Sequence, residues 1–343
     1  MLSPAPANTL RQARQLVEDL YPHNLLIYWS DFLLSLIVGY SAASLYLAAP
    51  WGSWRQVICF TMAGVALYRL GSFTHEIVHF RRDEMRLFRH AWNLLAGVPM
   101  LTPTFFYESH LHHHNTHHYG TAEDGEYLPL SRGRWTDAAV FVLLPLLQPI
   151  AVTLRFLLAP LTFLHPALRR WTLEHASSFV INLHYRRRLP RRAMRRSWAL
   201  MDLACSARAW LIFVLIFLGE TTWMRIPQLY FLAVFILSLN YLRTLAAHRY
   251  LSDGQALTHE DQLYDSTNIT GGSLLTWILC PLGMQYHALH HLFPRLPYHN
   301  FPKAHRRLME NLPDNSSYRQ TEYPSWLAVI RQLLQDVRSP SVP

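Results

Sequence analysis

The chain has 343 residues, of which 51% are hydrophobic and only 15% charged; so low a charged share excludes both an ordinary soluble protein and a disordered one. Its three cysteines exclude a disulfide-built scaffold. The formal net charge of +9 rests on arginine, with Lys303 the one lysine, and the arginines lie between apolar segments, which favours membrane lipids over nucleic acid as the partner.

In chain order, Thr9–Tyr21 reads as a short amphipathic helix, and the N-terminus lacks the pattern of a signal peptide. Residues 25–49 are long and apolar enough to span a bilayer, with Asp31 their one charge. Residues 56–74 follow after the short link PWGSWR and complete a hairpin, with Arg69 as a costly charge inside the span. Residues 91–107, broken by Pro99 and Pro103, read as a re-entrant or interfacial segment. Residues 136–164 carry Pro145, Pro149 and Pro160 and are expected to form a kinked hairpin or an in-plane helix. A single crossing there would put the arginine run (Arg186, Arg187, Arg188, Arg191, Arg192, Arg195, Arg196) on the face opposite the histidines. That run reads as a solvated cytoplasmic loop obeying the positive-inside rule.

Residues 207–220 and 227–247 form a second hairpin, whose first member is short unless extended backwards. Leu327–Val337 reads as a terminal amphipathic helix. The expected fold is an all-α integral membrane protein, two transmembrane hairpins with interfacial helices and a cytoplasmic histidine-rich cap. Its expected divisions are an N-terminal segment (1–24), a membrane domain (25–310) and a polar tail (311–343).

Twenty histidines are the anomaly, and they cluster. HEIVH at 75–79 places His75 and His79 on one helix face. HLHHHNTHH at 110–118 contains two overlapping frames, His110, His113, His114 and His114, His117, His118. HALHH at 287–291 places His287, His290 and His291 on one face. Imidazole is neutral enough near pH 7 to bind zinc, copper, iron or nickel. Eight histidines in three clusters exceed one zinc site and suit two metals. Each cluster follows an apolar stretch on the same expected membrane side. Isolated histidines such as His23, His90, His165, His175, His184, His259, His299 and His305 read as ordinary surface or core residues.

HxxxH, HxxHH and HxxHH, in that order between apolar hairpins, resemble the boxes of the membrane fatty acid desaturases. The superfamily also holds lipid and alkane hydroxylases and carotenoid ketolases. Asn93, the stretch YGTAEDGEYLPL at 119–130 and HHLFPRLPYHNFPKAH at 290–305 extend the likeness over about residues 25–310. The resemblance implies two iron ions held by His75, His79, His110, His113, His114, His287, His290 and His291. His248 matches a further ligand, and Thr244 stands where some members carry asparagine. Asp124, Glu126 and Asn268 are candidates for orienting ligand imidazoles, and His117 and His118 offer the alternative frame of the second box.

The implied reaction is O2-dependent oxidation of an unactivated C–H bond in a lipid or acyl substrate. Fatty-acyl desaturation is its first form; lipid, alkane or carotenoid hydroxylation or ketolation is the alternative. With no haem domain, iron–sulfur pattern or flavin fingerprint in the chain, a separate ferredoxin, rubredoxin or cytochrome must supply electrons. A remoter alternative is an intramembrane zinc protease in which Glu76 of HEIVH is the base; otherwise Glu76 orients an imidazole. The expected location is a bacterial inner membrane, with the boxes on the cytoplasmic side.

Overall fold

The computed structural model describes residues 7–128, 135–189 and 196–338. Arg191, Arg192 and Arg195 of the arginine run, and Pro129 and Leu130 of the acidic stretch, lie outside the described residues. The elements are helical throughout except for one two-residue strand pair. In order they are α1 (Ala7–Leu16), α2 (Leu25–Ala48), α3 (Trp54–His79), α4 (Arg86–Trp92), α5 (His110–His113), α6 (Trp135–Leu157), α7 (Pro166–His175), α8 (Arg196–Phe217) and α9 (Arg225–Leu245). There follow α10 (His259–Asp265), β1 (Asn268–Ile269), α11 (Leu274–Leu279), α12 (His287–Leu292), α13 (Phe301–Asn311), β2 (Glu322–Tyr323) and α14 (Trp326–Arg338). The chain divides into two compact units, one of Trp29–His110 and Val140–Leu239, the other of Met1–Tyr28, Leu111–Ala139 and Asn240–Pro343.

The first unit is the membrane part. Helices α2, α3, α6, α8 and α9 are each long and apolar enough to cross a bilayer. Their outward side chains are apolar, with Leu34, Ile37, Val57 and Phe217 exposed, as lipid-facing surfaces must be. Helix α3 starts where Ser53 accepts a hydrogen bond from Gln56 N–H at 3.2 Å, while Gln56 Oε1 accepts from Gly52 N–H at 2.8 Å. It then runs without interruption through HEIVH, so the first box is its last turn. Arg69 of α3 donates to both oxygens of Asp31 of α2, at 2.8 and 2.5 Å, so the two costly charges neutralise each other. Gly64 lets α3 approach α9 closely: a Cβ there would stand 2.1 Å from Phe235 Cδ1. Helix α8 reaches back to Arg196, which supplies the length the apolar stretch lacked.

Residues 136–164 differ from the kinked hairpin expected of them. They form one continuous helix, α6, with Pro145 and Pro149 inside it, followed by a 3₁₀ turn over Ala159–Phe163. Each proline removes one N–H and frees the carbonyl four residues before it, a loss that a lipid or packed setting tolerates. The chain on either side of α6 is joined: Phe179 N–H donates to Phe106 C=O at 3.1 Å.

The arginine loop also departs from its solvated reading. Arg186, paired with Glu174 at 2.7 Å, is exposed. Arg187 is buried, its guanidinium donating to the carbonyls of Phe105 (2.7 Å) and Ser177 (3.0 Å) while lying over Trp198. It therefore pins the segment that leads into the second histidine cluster. The carbonyls it meets would otherwise be buried acceptors without donors.

The second unit is the polar part. β1 pairs in parallel with β2, and Trp326 of α14 donates to Leu242 C=O at 2.8 Å. These bonds tie residues 322–338 onto the end of α9 and onto β1.

Candidate metal centre

In the first unit, the i, i+4 spacing at the end of α3 brings His75 and His79 onto one face, with ring centroids 5.7 Å apart. His110, the first residue of α5, meets both, at 4.6 Å from His75 and 5.2 Å from His79. All three are buried, and their ligating nitrogens lie within 4.8 Å of one another. The ring of Tyr107 stacks on His110 at 4.8 Å. Asn93, in a π-helical turn over Asn93–Gly97, accepts from Thr104 N–H and donates to Thr104 Oγ1, both at 3.0 Å. It thereby shapes the loop that delivers His110.

In the second unit, four imidazoles converge. His248 Nε2 lies 3.2 Å from His113 Nε2 and 2.9 Å from His287 Nε2, and His291 Nε2 lies 3.1 Å from His287 Nε2. They come from α5, the stretch after α9, and one face of the single helix α12. His113, His248 and His287 are buried and His291 half-buried.

The outer nitrogens have partners that fix the rings. His113 Nδ1 donates to Asp124 Oδ2 at 2.9 Å, and the same oxygen accepts from Gly120 N–H at 3.1 Å. His248 Nδ1 lies 2.8 Å from Tyr119 Oη, which donates to Asp265 Oδ2 at 2.6 Å. Gln262 Nε2 reaches the His113 carbonyl (3.2 Å) and His291 Nδ1 (3.1 Å). Asn268 touches no imidazole. Its Oδ1 accepts from Leu289 N–H at 3.1 Å and its Nδ2 donates to Thr321, so it caps and anchors α12 between box histidines.

Burial pushes His248 and His287 well below the ordinary imidazole range, holding them neutral with a lone pair to offer. Burial acts in the same sense on His113, but the Asp124 carboxylate outweighs it and leaves His113 above its usual range. Burial raises Asp265, opposed by donation from Leu251 N–H, Tyr119 and Tyr127.

The remaining expected residues fall in different places. His114 and His290 meet each other, Nε2 to Nε2, at 3.1 Å. His117 is exposed, and His118 pairs with Glu123 at 2.8 Å; neither belongs to the four-imidazole group. Glu76 is buried on α3 between the first two ligand candidates, and Glu126 is half-buried, its N–H bonded to Asp124 Oδ1 at 2.9 Å. Tyr119, Asp265 and Gln262 were not singled out in the sequence. Tyr119 opens the stretch that resembled the family, but nothing marks Asp265 or Gln262 apart from their nearness to Asn268.

The donor set fits a metal. Among neutral imidazoles, one proton serves each nitrogen–nitrogen contact, so four Nε2 atoms aimed at one point cannot all be satisfied by hydrogen bonds among themselves. A first-row metal bonded to nitrogen at about 2.0–2.1 Å seats its ligand atoms roughly 3 Å apart, the spacing found here. All-imidazole surroundings suit iron, zinc or copper.

The sequence model describing fatty acid desaturases matches residues 51–322. A ceramide hydroxylase of Caulobacter vibrioides (strain NA1000 / CB15N) is 40% identical over 335 residues, which cover 96% of this chain and 93% of that protein.

Proposed function

Because the chain belongs to the fatty acid desaturase family, whose members are membrane oxidoreductases of lipids, we propose that it hydroxylates a C–H bond of a ceramide-class lipid. The observation that carries this reading is the 40% identity to a ceramide hydroxylase along 96% of the chain. It favours oxygen insertion over the desaturation that the histidine boxes first suggested. Two irons would be held, one by His75, His79 and His110 and one by His113, His248, His287 and His291. The balance is a C–H bond, O2, two electrons and two protons giving C–OH and water; iron when bound supplies the activation of O2.

The chain's own residues do the rest. Asp124 fixes the tautomer of His113, so that its inner nitrogen is bare. The burial of both histidine groups keeps water from the reacting bond. The apolar surface of α2, α3, α8 and α9 holds the protein where a lipid substrate dissolves. Electrons come from an acidic carrier of the ferredoxin, rubredoxin or cytochrome type, for which exposed Arg81, Arg82, Arg186 and Arg188 offer charge complementarity. The setting is a bacterial inner membrane with both histidine groups facing the cytoplasm.

The test is expression in a ceramide-producing host under isotopically heavy O2, with a reduced donor supplied. The expected product is a ceramide bearing one heavy oxygen, absent from a His287→Ala strain. A ceramide that has lost two hydrogens would make the enzyme a desaturase. Unchanged ceramides with iron-loaded protein would exclude this substrate class.

A further inference from the structure

Tyr119 and Asp265 lie outside the histidine boxes, yet they form a directed line of hydrogen bonds that ends on a candidate ligand. Asp265 Oδ1 accepts from Leu251 N–H at 2.7 Å, and Oδ2 accepts from Tyr119 at 2.6 Å. A backbone N–H can only donate, so the orientation of the carboxylate is fixed from behind. The one phenolic proton of Tyr119 is spent on Asp265, so Tyr119 Oη must accept from His248 Nδ1 at 2.8 Å. Nε2 of His248 is then bare, and Nε2 is the atom that faces His113 and His287. All three residues are almost wholly buried, so no solvent competes for these bonds.

Resting on the metal reading above, we propose that Asp265 is a positioning residue that acts through Tyr119. It dictates the proton position on His248 and thereby switches that imidazole into a metal ligand.

The direction of the line makes the proposal unusually specific. In Asp265→Asn, Leu251 N–H still demands the amide oxygen, which forces the amide NH2 against Tyr119 Oη. Tyr119 must then accept there and turn its proton toward His248 Nδ1. The His248 proton moves to Nε2, the ligating atom. Tyr119→Phe removes the partner but imposes no wrong tautomer, and Ser266 Oγ remains 3.5 Å from His248 Nδ1. The isosteric change two bonds away is therefore predicted to be worse than loss of the direct contact. Removing the hydroxyl in the asparagine background should repair it.

The experiment is iron titration of the purified full chain against a competing chelator, with Mössbauer spectra of the loaded protein. Asp265→Asn should weaken iron binding at one site on the order of 10–100-fold, Tyr119→Phe clearly less, and the double variant should bind better than Asp265→Asn alone. Wild-type affinity and spectra in both single variants would overturn the relay while leaving the metal reading intact. Equal losses in the two, or a double variant no better than Asp265→Asn, would reduce Asp265 to packing and also overturn it. If Asp265→Asn fails to accumulate, Tyr119→Phe is compared with the double variant. With no hydroxyl to redirect, their iron affinities must agree, and a weaker double variant overturns the proposal. A wild-type chain that takes up no iron overturns the metal reading itself, and the relay with it.

Discussion

At the scale of single residues, His305 shows how burial sets protonation away from the metal groups. Its Nδ1 is hydrogen-bonded with Tyr318 Oη at 2.7 Å in the interior of the second unit. Burial is the larger influence and pushes His305 below the ordinary imidazole range, against a smaller pull from Glu322. The folded protein therefore holds His305 neutral, while the unfolded chain takes up a proton near pH 6.5. The stability this contributes is fully present above that value and is lost as the pH falls below it. Thermal unfolding from about pH 8 to about pH 5 should fall less steeply for His305→Gln than for wild type. Parallel profiles would show that His305 contributes nothing to acid sensitivity.

The same scale shows what a sequence can carry. The imidazoles were legible because eight of one rare residue type recur at helical spacing. Tyr119, Asp265 and Gln262 are common residues whose roles exist only once the stretch near residue 120 and α10 meet around His248. His305 read as bland and is bland chemically, but its burial depends on α13 and could not be inferred from a lone histidine.

At the scale of elements, close helix approach is the governing feature of the membrane unit. The missing Cβ of Gly64 is filled by the Phe235 ring, which also packs on Phe60 at 5.0 Å. Gly64→Ala should destabilise the protein by about 1–3 kcal/mol, as overpacking does. Phe235→Leu in the same chain should recover most of the loss. Thermal denaturation in detergent reads both, and a silent Gly64→Ala would show that α3 and α9 separate easily. Helices α2, α3 and α9 were visible in apolar length alone. Helix α6 was not, because its prolines argue against a continuous helix in water, whereas a lipid or packed setting tolerates them. The cap on α12 was equally hidden, since Asn268 reaches it across 21 residues.

At the scale of the whole molecule, the bond between Phe179 and Phe106 bears on how the chain is threaded. Between them lies one apolar helix of spanning length, α6. A full crossing would carry the chain about 30 Å away, and α6 is one continuous helix, so the expectation is that α6 lies along the surface. The expected crossings are then α2, α3, α8 and α9. That threading would put the histidine stretches and the arginine loop on one side, and the links at residues 49–53 and 218–224 on the other. The native cysteines are buried, which shields them from an impermeant reagent. Single cysteines replacing Asn115 and Arg188 should therefore label from the same side of sealed vesicles, and one replacing Trp223 from the other. Labelling of positions 115 and 188 from opposite sides would mean that α6 crosses.

The convergence of distant histidines also has a consequence in time. His114 and His290 are 176 residues apart in the chain, and ribosomes add roughly 5–20 residues per second. For roughly 10–35 s of each synthesis, the nascent chain carries the first two boxes without the third. His113 waits for His248, His287 and His291, all of which emerge later. On the proposed metal reading, loading of the four-imidazole group would be a final act of biogenesis, after the membrane helices are in place. Until then the half-built group is an open set of imidazoles. Cells that make this protein during metal excess would face a choice between the right ion arriving late and a wrong one arriving early.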